Sequence, residues 1–135
     1  MAKKAAPTTT CTAAEARNRL AHAQLYLQVA KLVDPIDGDI EATVATGNAV
    51  LAGIAAGDAL CCSLLGIRSR SADHMDAADL LETATGDRKL ASVMRDLLGY
   101  KDAGHCGLDN VTAPNARAAI RRAGTLVAFA VRTVR

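Results

Sequence analysis

Two short stretches of this chain pair cations with a histidine at spacings that suit phosphate chemistry. In Arg68-Ser-Arg-Ser-Ala-Asp-His74, Arg68 and Arg70 precede His74; in Lys101-Asp-Ala-Gly-His105, Lys101 stands four residues before His105. A guanidinium or ammonium can hold phosphate charge while an imidazole takes and returns a proton. That is the minimum equipment for working on a phosphodiester, and RNA cleavage without a metal needs such a base near the 2′-hydroxyl and such a cation on the phosphoryl group. Lys101 and His105 share one face wherever a helix persists between them. His74 falls in the first turn of a helix, where unpaired backbone N–H groups favour an anion, and Arg68 and Arg70 can fold back on the same phosphate. Both clusters serve equally well as solvated loop and helix-end groups, so their types and spacing leave the choice open.

A third residue stands out for its surroundings. Asp58 is a lone acid inside the apolar run Ala49–Leu60, and such an acid needs a partner or a site. Arg68, Arg70 or a residue of the last helix is the expected partner. From Asn110 to the end there is no acidic residue, yet Arg117, Arg121, Arg122, Arg132 and Arg135 are all present. Arg117 and Arg121 are therefore candidate phosphate contacts, set against the plainer reading of a solvated basic face. His22, with only Arg19 nearby, reads as a partly exposed helix residue.

The elements that must position these groups are helical. Thr12-Ala-Ala-Glu15 is a capping box opening a helix from about 13 to 33, whose apolar face is Ala16, Leu20, Ala23, Leu27 and Ala30; Asp34-Pro35 stops it. The stretch from about 41 to 65 is the most apolar and is long enough to span a membrane, but Asn48 and Asp58 would sit in hydrocarbon at about 2.5 kcal/mol or more for the acid. We expect it instead as the central helix of the bundle. Its Gly53-Ile-Ala-Ala-Gly57 ridge lets another helix approach, and a dimer interface is one use for it. Gly66 ends that helix, Ser71 or Asp73 caps a third to about Thr83, and Asp87 caps a fourth that carries Leu90, Val93, Leu97 and Tyr100 out to about 104. Thr112 and Pro114 open the fifth. Residues 1 to about 11 read as a flexible tail, leaving 12–135 as one domain.

Composition agrees with that organisation. A chain of 135 residues buries about two thirds of its unfolded surface, enough for one core. Half the residues are apolar but there is no Trp and only one Phe (Phe129), so Ala, Leu and Val must fill closely packed helices. The scarcity of aromatics argues against a base-stacking sheet surface. A net charge of +2 names no partner by itself. The Asp34–Asp39 loop does not match a calcium-binding EF-hand. Cys11, Cys61, Cys62 and Cys106 form no CxxC pair; a zinc site from Cys61 or Cys62 with His105 and Cys106 is conceivable, but free thiols in a reducing cytoplasm are expected. The Met-Ala-Lys-Lys start lacks an apolar signal region, so the expected location is cytoplasmic, with no metal or cofactor and no membrane association.

From Ala49 onward the order of features resembles the HEPN superfamily of small helical bundles. The resemblance rests on Ala-Val-Leu-Ala-Gly-Ile-Ala-Ala-Gly-Asp-Ala-Leu (49–60), on residues 68–74, on Leu-Leu-Gly-Tyr-Lys-Asp-Ala-Gly-His-Cys-Gly-Leu (97–108) and on the closing stretch 111–127. It implies an all-α, antiparallel four/five-helix bundle that is usually a homodimer. It also implies RNA-directed work in toxin–antitoxin or phage-defence systems, either as a metal-independent endoribonuclease or as a non-catalytic binding module for a nucleotide, RNA or a nucleotidyltransferase partner. An antitoxin is the other expected protein partner. The nuclease members carry Arg-x(4–6)-His, often with Tyr two residues after the His. By position the counterpart here is Lys101 to His105, with Lys for Arg, three intervening residues and Gly107 in the Tyr position; Arg68 to His74 fits the spacing but lies earlier. Lys does not reproduce the guanidinium fork. On this reading His105, Lys101, His74 and Arg68 are the candidate catalytic residues, Arg70, Arg117 and Arg121 contact phosphate, and Asp58 is the buried polar group beside the site. A plain structural or interaction bundle remains the third reading.

Overall fold

The computed structural model describes residues 5–33, 35–101 and 111–135. Among them lie five helices: α1 (Ala13–Lys31), α2 (Asp39–Leu65), α3 (His74–Thr85), α4 (Arg88–Leu98) and α5 (Ala113–Thr133). The chain is an all-α helical bundle with one small ribbon, β1 (Thr8–Thr10) antiparallel to β2 (Ile67–Ser69), in register Thr8↔Ser69, Thr9↔Arg68 and Thr10↔Ile67.

Helix ends fall where the side chains can cap them. The Thr12 hydroxyl accepts from the Glu15 amide at 3.1 Å and the Glu15 carboxylate accepts from the Thr12 amide at 3.2 Å, closing the capping box of α1. Asp73, Asp87 and Thr112 accept from backbone amides at the starts of α3, α4 and α5. Gly66 and Gly86 end α2 and α3 with positive φ of 69° and 66°, a conformation in which a Cβ is strained. The fourth helix ends at Leu98, where the still-helical Gly99 shares its amide between the carbonyls of Arg95 and Asp96, and the end expected at about 104 lies outside the described residues.

At about 40 Å, α2 is the axis of the molecule, and α1, α3, α4 and α5 all pack on it. Ten of its fifteen buried positions are Ala or Gly, so neighbouring backbones come close and larger side chains reach in from the other helices. A Cβ at Gly53 would collide with Leu97 of α4 and meet Leu126 of α5 at 3.3 Å; one at Gly57 would make an ordinary contact of 3.5 Å with Met94. The glycine ridge is thus filled from within the chain by α4 and α5, and the use of it as a dimer seam is corrected accordingly. Helix α2 is long and apolar enough to cross a membrane, but two thirds of its most apolar window is buried inside the bundle. The buried Thr46 hydroxyl is satisfied by the Ala42 carbonyl at 2.8 Å.

Two expectations about the N-terminal region are corrected. Residues 8–10 are paired rather than a loose tail, because the extended chain after Gly66 offers them an open edge. Cys11 is joined to Cys62 by a disulfide, with Cα atoms 5.5 Å apart, so these two are not free thiols. Cys61 is the free cysteine among the described residues and is buried, as expected; Cys106 lies outside them.

Candidate functional site

At the C-terminal end of α2 four elements converge on one cleft of about 400 Å³. Helix α1 contributes Arg19, α2 contributes Asp58, β2 and the residue after it contribute Arg68 and Arg70, and the start of α3 contributes His74. In extended chain, side chains two apart fall on the same side, so Arg68 and Arg70 can both line the cleft. The path from Arg70 to His74 is fixed by local hydrogen bonds. The Arg70 amide donates to the Pro7 carbonyl at 2.9 Å, the Asp73 amide to the Ser71 hydroxyl at 3.1 Å, and the Ser71 hydroxyl to the Asp76 carboxylate at 2.6 Å.

Asp58 organises the charges. Its carboxylate accepts a hydrogen bond from Arg19 Nη2 at 3.1 Å, with 13% of the acid's side chain and 29% of the arginine's exposed. Burial pushes the Asp58 carboxyl above the usual carboxylate range, and the nearby charges of Arg19, Arg68 and His74 pull it part of the way back. Its partner therefore comes from the first helix, not from Arg68, Arg70 or the last helix as the sequence suggested. Arg19 Nε is buried and has no hydrogen-bond partner among the described residues. The adjacent Cys61 thiol is pushed up to about 12 by its own burial and then by the Asp58 charge, so at neutral pH it is a protonated core group rather than a nucleophile.

His74 faces two hollows. Beyond the arginine-lined cleft it also borders a smaller one of about 190 Å³, shared with Asp73, Met75, Leu98 and Lys101. The two sequence constellations, 33 positions apart from Arg68 to Lys101 and read separately, thus meet at His74, which lines one hollow with Arg68 and Arg70 and another with Lys101. His105 lies outside the described residues, so its place on the Lys101 face does too.

Arg117 and Arg121 are elsewhere. They are exposed on α5 and line a hollow of about 390 Å³ with Lys31, Ile36 and Ile120. Ala116, just before Arg117, packs with Ala42 and Ala45 near the start of α2, roughly 20 Å along that helix from Asp58. One further hollow, of about 470 Å³, lies against Thr8, Ser69, Asp76 and Asp79; its lining carries acids and no cation, so it suits phosphate poorly. Among the described residues no three His, Cys, Asp or Glu side chains gather as a metal site, and the disulfide removes Cys62 from any such set. His22 is exposed, its Nδ1 2.8 Å from the Asn18 carbonyl.

Arg19 was missed in the sequence although a signal was there. It lies three residues after Ala16 and four before Ala23, on the flank of the buried stripe, where a cation must meet a buried acid or face a desolvation cost. No family model, curated protein or solved structure matches this chain.

Proposed function

We propose that the protein acts on RNA by holding backbone phosphate in the Arg68–His74 cleft, with His74 moving the proton in a metal-independent cleavage. The observation that carries this reading is that His74 lines two hollows, one with Arg68 and Arg70 and the other with Lys101. Arg68 and Arg70 offer guanidinium donors to the non-bridging phosphate oxygens. The imidazole takes the 2′-hydroxyl proton as that oxygen attacks phosphorus to form a 2′,3′-cyclic phosphate; the P–O5′ bond breaks, and the Lys101 ammonium meets the charge on the departing 5′-oxygen and gives it a proton. Asp58 does not touch the RNA; it fixes Arg19 and tempers the positive charge of the cleft. On the HEPN resemblance the protein works as a cytoplasmic homodimer in toxin–antitoxin or phage defence, with an antitoxin or a nucleotidyltransferase as protein partner.

A second reading, RNA binding without cleavage, is favoured by the separate Lys31, Arg117 and Arg121 surface, which suits holding a length of backbone rather than cutting it. One experiment separates the two. Purified protein is incubated with single-stranded RNA in EDTA beside the His74→Ala, His105→Ala and Arg68→Ala variants. On the first reading the wild type cleaves and His74→Ala loses at least about a hundredfold, the effect of removing a positioned proton-transfer group. A wild type that binds but does not cleave replaces the first reading with the second. Loss in His105→Ala with activity intact in His74→Ala moves the chemistry out of the cleft.

A further inference from the structure

We propose that the Cys11–Cys62 disulfide is a redox-released strap that holds the phosphate-binding cleft in order, so that thiol reductants loosen the cleft and weaken its grip on RNA. This rests on the functional reading above for what the cleft binds, but not for how it is held.

The strap and the cleft share their parts. β2 carries Arg68 and leads into Arg70, and its pairing partner is β1, three residues long. The Cys11 amide donates to the Gly66 carbonyl at one end of the ribbon and the Arg70 amide to the Pro7 carbonyl at the other, both at 2.9 Å. A two-stranded ribbon of this length does not hold itself together in water, so it depends on what anchors it. The anchor is covalent. Cys11 directly follows β1, and its partner Cys62 lies one helical turn after Asp58, bordering a hollow with Asp58, Arg19 and Arg68. Thr12, next after Cys11, caps the helix that carries Arg19. One bond therefore ties the start of α1, the end of α2 and the stretch that carries Arg68 and Arg70 to each other.

The exchange balances with a dithiol reductant. A reductant thiolate attacks Sγ of Cys11, the half-buried member of the pair, and expels the Cys62 thiolate, which takes up a proton. The reductant's second thiolate then displaces Cys11 as a thiolate, also protonated. Two electrons and two protons pass to the protein and the reductant leaves as its own disulfide. Cys61, protonated and buried beside the pair, does not compete for Cys11.

The test uses the full chain, oxidised and after dithiothreitol, with thiol titration to confirm each state. Two quantities are read: amide hydrogen exchange over residues 67–70 and the dissociation constant for a fluorescein-labelled single-stranded RNA. We expect reduction to speed exchange at 67–70 at least tenfold while amides of α4 and α5 hold, and to weaken RNA binding several-fold. Cys11→Ser shows the reduced behaviour with or without dithiothreitol, and Cys61→Ser still responds to it. Unchanged exchange at 67–70 after full reduction overturns the strap, as does faster exchange with RNA affinity unaltered. Global loss of protection in α4 and α5 also overturns it, because the bond is then a general staple. If neither form binds RNA, faster local exchange supports the strap while the functional reading falls on its own.

Discussion

The two ends of α2 both gather positive charge, but they hold it differently. At the C-terminal end Arg19, Arg68 and Arg70 share a cleft with a partly buried carboxylate, braced by a ribbon and a disulfide. At the N-terminal end Lys31, Arg117 and Arg121 lie around Ile36 and Ile120, with no acid in the lining of that hollow. Charge around a desolvated acid is fixed in direction, since each side chain has a geometry to satisfy; charge on an open face is screened and free to move. The first arrangement can place one phosphate against one imidazole. The second can only add attraction along a backbone.

The largest test of that contrast is Asp58→Ala. It strands the Arg19 guanidinium in a partly buried place, and because the pair is not fully desolvated we expect a loss of about 2 kcal/mol rather than the 3–5 kcal/mol of a wholly buried pair, read by urea denaturation. Arg117→Ala should stay within about 0.5 kcal/mol of wild type. Equal losses at both ends would erase the distinction. The acid also leaves a pH signature. Its folded-state pKa is raised, so the native state keeps the Asp58 proton longer than the unfolded chain. Its contribution is therefore present at low pH and falls away as pH rises past the ordinary Asp value through the raised one. Asp58→Asn should remove that part of the stability profile, and a wild type whose stability relative to this variant rises over the same range would contradict the assignment.

A smaller effect comes from the seam beneath the cleft. Gly53→Ala must push Leu97 and Leu126 aside, so a loss of about 1–2 kcal/mol is expected, whereas Gly57→Ala finds room beside Met94 and gains helix propensity, leaving stability equal or up to about 1 kcal/mol higher. Thermal unfolding of the two variants decides it, and equal losses would mean that both glycines are in tight contact. The smallest effect belongs to the open end. Arg117→Gln and Arg121→Gln should leave cleavage rate at saturating RNA unchanged and each lower the salt dependence of RNA binding by about one counterion. A change in cleavage rate would bring α5 into the site.

The bundle was legible because its signals are local. The Thr12–Glu15 box, the Gly66 and Asp87 ends and the three-four apolar spacing each act within a few residues, and the helices lie where they place them. The parts that were not legible all depend on chain distance. Arg19 finds Asp58 across 39 positions and Cys11 finds Cys62 across 51; the local pattern around Arg19 says that it needs an acid but not which one, and nothing local pairs the cysteines. Three threonines after a Pro read as tail because an edge to pair with exists only once α2 has returned β2 to that end of the molecule. The glycine ridge was recognised as a close-approach surface, but sequence spacing does not say whose helix approaches.

The glycine ridge also sets an order of events during synthesis. Gly53 is covered by Leu97 and Leu126, and the second of these leaves the ribosome about 70 residues after it, roughly 4–14 s at ordinary rates of elongation. For that interval the most apolar helix of the protein has α1 beside it but not the later helices that complete its cover, and holdase chaperones have their chance to bind the uncovered face. The two sulfurs that clasp its far end need no such wait, since both are already made when α2 is complete.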